Sequence, residues 1–271
     1  MYQDKSPRDS SDKDAEEPLL EEETFTRSSR SRRCLSLLPW ILTAVLATAC
    51  VLLLLDRRAY LRHGSFDRGY STDFAGAKPF IRLKDVRFTG SPEFGPDGEE
   101  RVPLDSPSLQ YIGNGKAVDD AWTGLVKDRY FLLTDDEARE AWGSEYTEYW
   151  DELRGGYLAG LDMFHTLHCL DHIRMAFYPE LYPENPIHGQ IHRDHCVDHL
   201  RQMIMCNADL TVIPTKFFSG IGKNYINSDR RHTCRDFSKI REWTTSRYNG
   251  TLAVKARNKD GSPRDAFFVI P

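Results

Sequence analysis

The sequence has no surplus of positive charge. Its 36 Lys+Arg stand against 41 Asp+Glu, a formal net charge of −5 with a pI near 6.0. A dedicated nucleic-acid binder would carry a basic face for phosphates, so that class is excluded. GxSxG, HExxH and Walker A motifs are all absent, and Gly220-Ile221-Gly222-Lys223 lacks the phosphate-loop spacing. Nothing therefore supplies the nucleophile of a hydrolase. What is present argues against disorder throughout: 11% of the residues are aromatic, with five Trp among them.

One long uncharged run occurs, the 22 residues from Cys34 to Leu55. At ~1.5 Å per residue, a helix of that length crosses a hydrocarbon core of ~30 Å. Ala47-Thr48-Ala49 mimics a signal-peptidase site, but it lies inside the run, with Val51 to Leu55 still to follow. The preceding 33 residues, with nine acidic side chains, are too long and too acidic for a signal-peptide head. The expectation is an uncleaved single span. Arg27, Arg30, Arg32 and Arg33 before it balance Arg57, Arg58, Arg62 and Arg68 after it, so charge does not set the orientation. The sequon Asn249-Gly250-Thr251 and the four cysteines beyond the run favour a lumenal C-terminal part of the endomembrane system.

The expected organisation is a disordered cytosolic tail over 1–33, a transmembrane helix over 34–55, a stalk and extended segment over 56–107, and a lumenal domain over 108–271. The fold class is mostly α with minor β, a single-pass membrane-anchored globular domain. Phe80-Ile81-Arg82-Leu83 alternates like a short strand. Thr134 with Glu137 forms a capping-box pattern that opens a helix through Trp142. Helical periodicity runs from about Gly156 to Phe177 and from about Ile191 to Cys206, with Pro179, Pro183 and Pro186 between. A last helix is expected from about Asp236 to Arg247.

The informative feature is a repeat. His165-Thr166-Leu167-His168-Cys169-Leu170-Asp171-His172-Ile173-Arg174 returns 27 residues later as His192-Arg193-Asp194-His195-Cys196-Val197-Asp198-His199-Leu200-Arg201. Seven of the nine histidines lie between 165 and 199. On a helix the positions i, i+3, i+4 and i+7 share one face. His165, His168, Cys169 and His172 therefore project together, as do His192, His195, Cys196 and His199. Leu170, Ile173 and Phe177, with Val197, Leu200 and Ile204, form adjacent apolar stripes through which the two helices are expected to pack. Neutral imidazoles suit copper, zinc, iron and nickel, and thiolate adds affinity for softer ions. Metal ligation by the two matched HxxHC copies outweighs a plain helix seam. Cys169, Cys196, Cys206 and Cys234 can instead pair as disulfides, in three ways that sequence does not separate. His192 and Asp194 diverge by about 200° on a helix, which argues against a shared iron site.

The doubled HxxHC motif behind a single N-terminal span resembles the UstYa-like family of fungal secondary-metabolite oxidases. Ala159 to Phe164 before the first copy, Arg201 to Cys206 and Ala208 to Thr211 after the second, and His232-Thr233-Cys234-Arg235-Asp236-Phe237 with Ile240 and Trp243 carry the similarity further. So do Asp119-Asp120-Ala121-Trp122 and the Leu133-Thr134 helix start, and the whole covers roughly residues 108 to 247. The resemblance implies oxidative tailoring in fungal peptide-derived mycotoxin biosynthesis, by cyclisation, hydroxylation, halogenation or related oxidation. It implies copper, with iron as the alternative. It assigns ligand roles to His165, His168, Cys169, His192, His195 and Cys196, catalytic roles to the four histidines among them, and a structural disulfide role to Cys206 and Cys234. His172 and His199 stand on helical geometry alone. Expected partners are a peptide or peptide-derived substrate, the membrane, and a second copy or related protein, with no nucleic acid. Asn249 is the expected glycosylation site. The competing expectation is a non-catalytic, metal-stabilised membrane scaffold or accessory subunit.

Overall fold

In the computed structural model, residues 29–184 and 186–264 are described, and the chain divides into two units, Met1–Ala59 and Tyr60–Pro271. The expected tail lies outside the described residues except for 29–33, which are helical. They open α1 (Ser29–Leu61), which runs past the uncharged stretch at both ends. Leu37–Arg58 is long and apolar enough to cross a membrane, with mean hydropathy 2.4, and its side chains face outward. Pro39 sits inside α1. Thr43 and Thr48 return their hydroxyls to the carbonyls four residues back, at 2.8 Å each, so neither is left bare on an apolar helix.

Among the described residues, the second unit combines five further α-helices with small antiparallel sheets. Two short hairpins come early: β1 (Gly64–Ser65) with β2 (Gly69–Tyr70), and β4 (Glu93–Phe94) with β5 (Glu100–Arg101). Between them β3 (Leu83–Arg87) pairs along its whole length with β11 (Arg231–Arg235) near the C-terminus. The region read as a stalk is thus stitched into the domain. The expected strand begins only at Leu83, because Lys78–Phe80 forms a 3-10 turn led by Pro79.

The centre is the sheet β6 (Tyr130–Leu133), β8 (Gly156–Gly160), β7 (Trp150–Asp151), with β8 in the middle. Gly156 to Gly160 was expected to be helical. It is a strand because glycine at both ends is poor in a helix, while Phe131, Leu132 and Leu133 offer a buried partner edge. The helical periodicity starts at Asp162. Phe131, Leu133, Ala138, Tyr157, Ala77 and Trp243 form the core. Trp243 meets Phe131 edge-on at 5.2 Å and Phe74 at 5.8 Å, geometries that add to plain burial.

Two expected helices frame this core: α3 (Asp135–Trp142), with the reciprocal Thr134–Glu137 capping box in place, and α6 (Phe237–Asn249), capped by Asp236. α2 (Lys116–Val126) buries Trp122 and Val126. The motif-bearing pair is α4 (Asp162–Ala176) and α5 (Gln190–Asn207). After α5 the hairpin β9 (Thr215–Phe218) with β10 (Lys223–Ile226) leads into β11.

Candidate metal centre

α4 is fixed at both ends by residues outside the motif. Near its start Phe164 is buried, its ring edge-on to Phe237 at 5.9 Å. Near its end the buried Arg174 donates to Asp171 at 2.7 Å, Asp119 of α2 at 2.8 Å and the Gly113 carbonyl at 3.0 Å. α5 is held differently, since only Cys196 on it is buried. The expected apolar stripes do not make the seam: Phe177 is 75% exposed and Ile204 71%, and Val197 also faces outward. The histidine faces turn inward instead, and the ring-bearing side of each helix meets the other.

The rings meet in antiparallel order. His165 stands 4.6 Å from His199 and 5.5 Å from His195 between ring centroids, while His172 stands 5.3 Å from His192. Two groups result. At the α4 start, His165, Cys169 and His195 bring their ligand atoms within 4.8 Å of one another, and Asp162, His165 and His199 do the same. One turn further along α4, His168 and His172 meet His188 with the same closeness. The six motif positions are therefore divided between two groups. His165, Cys169 and His195 gather at one end, His168 and His192 at the other. Cys196 lies beside Cys169, with its sulfur 3.8 Å from His192 Nδ1.

Cys169 and Cys196 are fully buried, and all four cysteines beyond α1 are thiols in this structure. Burial, with the Cys196 thiol beside it, pushes Cys169 up to about 12. Its sulfur is 3.7 Å from His165 Nε2. Burial moves the histidines the other way, and their neighbours add to it. His168 is lowered to about 3, with His172 and Arg129 contributing, and His172 to about 4, with His188 and His192 contributing. His165 and His192 are lowered as well, first by burial. Neutral imidazoles with free lone pairs are the form that binds metals.

Asp162 orients one end. Its Oδ1 lies 3.5 Å from His165 Nδ1 and 3.2 Å from His199 Nε2. With Nδ1 turned to the carboxylate, His165 keeps Nε2 towards Cys169, an arrangement that fixes ring and tautomer. Asp171 and Asp198 do not serve the rings, since they pair with Arg174 and Arg201 at 2.7 Å each. Beside His165 opens a cavity of about 210 Å³, lined by Arg129, Tyr130, Gly160, Leu161, Asp162, Phe164 and His165.

Sequence reasoning missed two participants. His188 lies outside both helices, so no periodicity marked it, although it stood in the histidine-dense stretch. Asp162 was read only as part of the Ala159 to Phe164 stretch before the first copy. Asn249 is exposed at the last residue of α6.

The family described as "Mycotoxin biosynthesis protein UstYa" matches residues 22–247. Two proteins of Diaporthe leptostromiformis are similar over nearly the whole chain. UstYa family oxidase phomYd is 42% identical over 93% of this chain and 89% of its own length. UstYa family oxidase phomYd' is 30% identical over 93% of this chain and 86% of its own. UstYa family oxidase VicYc of Bipolaris victoriae (strain FI3) is 39% identical over 31% of this chain and 84% of its own length. No solved structure matches. With a match that takes in the N-terminal helix, both histidine-bearing helices and most of α6, the chain belongs to the UstYa family.

Proposed function

We propose that this chain is a membrane-anchored, metal-dependent oxidase that tailors peptides or peptide-derived molecules in fungal mycotoxin biosynthesis. The observation that carries the reading is the convergence of His165, Cys169 and His195 within 4.8 Å, beside a cavity that His165 itself lines. Two imidazoles and a thiol make a donor set suited to copper, with iron as the alternative. The oxidase names of the relatives support the same class of chemistry. When bound, such an ion supplies one-electron oxidation and dioxygen activation.

The chain's own residues provide the rest. Phe164 and Leu161 give the cavity apolar wall, and Tyr130 and Arg129 give it a polar side. At about 210 Å³ it takes one side chain of a substrate rather than a whole peptide. Asp162 holds His165 in the ligating tautomer and is placed to accept a proton from a phenol or amide entering there. His168, His192 and Cys196 are the remaining ligand candidates of the repeat. α1 serves as an uncleaved anchor, with the second unit in the lumen, and the active form is a homo- or hetero-oligomer with a related protein.

The test uses full-length protein in detergent, loaded with copper or iron and offered short Tyr-containing peptides in air, with and without ascorbate as the two-electron reductant that oxygen insertion needs. Loss of two hydrogens or gain of one oxygen by mass is the expected result, abolished in His165→Ala and His195→Ala. Full turnover by metal-free protein would overturn the reading. One observation favours the scaffold alternative: imidazoles rather than apolar side chains join α4 to α5, so an ion there would also hold the fold. A protein that carries only zinc, and unfolds on chelation, would support that alternative.

A further inference from the structure

We infer a second metal site, built by His168, His172 and His188 with His192 completing a four-imidazole set, which takes a divalent late first-row ion. It goes beyond the ion proposed at His165–Cys169–His195 and does not depend on it. Two of its residues, His172 and His188, lie outside the doubled motif.

The geometry is that of a coordination sphere. The six ring-centroid separations among these four histidines are 4.3, 5.6, 5.9, 4.4, 5.3 and 4.6 Å. Four imidazoles bound tetrahedrally at metal–nitrogen distances of ~2.0–2.1 Å leave ring centres roughly 5 Å apart. The observed set brackets that value. Three of the four already bring a ligand nitrogen within 4.8 Å of the others.

Ordinary packing explains the cluster poorly. Among the described residues, neither His168 nor His172 hydrogen-bonds to a protein oxygen, whereas His165 and His199 have Asp162 and Thr166 beside them. Half-buried imidazoles turned towards one another, with Arg129 the charged neighbour of His168 and His172, leave nitrogen lone pairs unused, which an ion would satisfy. His188 arrives from the connection between the helices, immediately before Gly189, the N-cap residue of α5. With no carboxylate or thiol in the set, the chemistry is purely that of imidazole, which suits Cu(II) or Zn(II) and disfavours Mg(II) or Ca(II).

The experiment titrates metal-free full-length protein in detergent with Cu(II), counts bound copper after desalting, and records electron paramagnetic resonance and optical spectra. Wild type is expected to hold two equivalents: one with a thiolate-to-copper charge-transfer band from Cys169, the other with hyperfine structure from nitrogen ligands alone. His188→Gln and His172→Ala should each reduce the count to one and keep the thiolate band. His165→Ala should remove the band and keep the all-nitrogen signal. His188→Gln alters no helical residue, and an unchanged circular-dichroism spectrum and a retained thiolate band show that its loss of copper is not loss of fold. A single equivalent that carries the thiolate band, or two equivalents untouched by both His188→Gln and His172→Ala, would overturn the inference. An all-nitrogen signal lost with His188 but accompanied by no thiolate band would uphold this site while removing the support for Cys169 as a ligand.

Discussion

Arg174, buried in the last turn of α4, donates to Asp119 of α2 at 2.8 Å across 55 residues of sequence. The same guanidinium also reaches Asp171, the Gly113 carbonyl and the Tyr182 hydroxyl. It ties the histidine-bearing helix to the rest of the domain at the end where the apolar stripe fails to do so. Burial alone would weaken its charge, but the tyrosine and the two carboxylates more than restore it.

Replacing this residue should therefore unseat α4. Arg174→Met leaves two carboxylates without their partner and should destabilise the protein by about 3 kcal/mol. Arg174→Lys keeps the charge but not the planar fork, and should recover only part of that loss. Chemical denaturation of both variants checks the order.

Thr134→Ala should cost about 1 kcal/mol, the usual loss when an N-cap partner goes. Glu137→Ala should cost more, because Glu137 both closes the capping box and accepts from the buried Arg247 at 2.9 Å. Equal denaturation midpoints for the two variants would contradict that difference.

The metal-free protein should lose stability in acid. In the unfolded chain His168 and His172 take protons near pH 6.5, whereas in the folded chain they do so only at about 3 and about 4. Between those values the unfolded state binds more protons, so the contribution is fully present above pH 6.5 and falls as pH drops through the interval. A bound ion should shift the acid transition lower, since it occupies the same lone pairs. Denaturant midpoints from neutral to mildly acidic pH, with and without Cu(II), measure both effects.

Asn249 should carry glycan if the second unit is lumenal. It is exposed at the end of α6, and Thr251 of the sequon lies beside it with its hydroxyl 3.3 Å from that of Ser246. Wild type from a fungal host should shift in mobility on treatment with an N-glycosidase, and Asn249→Gln should not. An unshifted wild type would remove the sequon as support for a lumenal second unit.

The helices were legible wherever a cap or a repeat marked them: Thr134, Asp236 and both HxxHC copies. The facing of the histidines was legible for the same reason, because i, i+3, i+4 and i+7 depend only on the helical turn. What could not be read was anything fixed by distant partners. Gly156 to Gly160 became a strand because β6 was there to receive it. Leu83 to Arg87 joined β11, and Val197 and Ile204 were left outside because imidazoles took the seam. The division of the motif into two groups follows from the antiparallel pairing of α4 and α5, and His188 entered from a connection that has no periodicity.

The two histidine-bearing helices are neighbours in sequence as well as in space. Every ligand candidate falls between residues 162 and 199, so the cluster closes over a short connection, and bringing its parts together carries a small loop entropy. The β3–β11 pairing instead joins residues such as Asp85 and Thr233, 148 positions apart, and waits for nearly the whole chain. Local contacts form faster than distant ones. The imidazole cluster can thus assemble before β3 finds its partner strand.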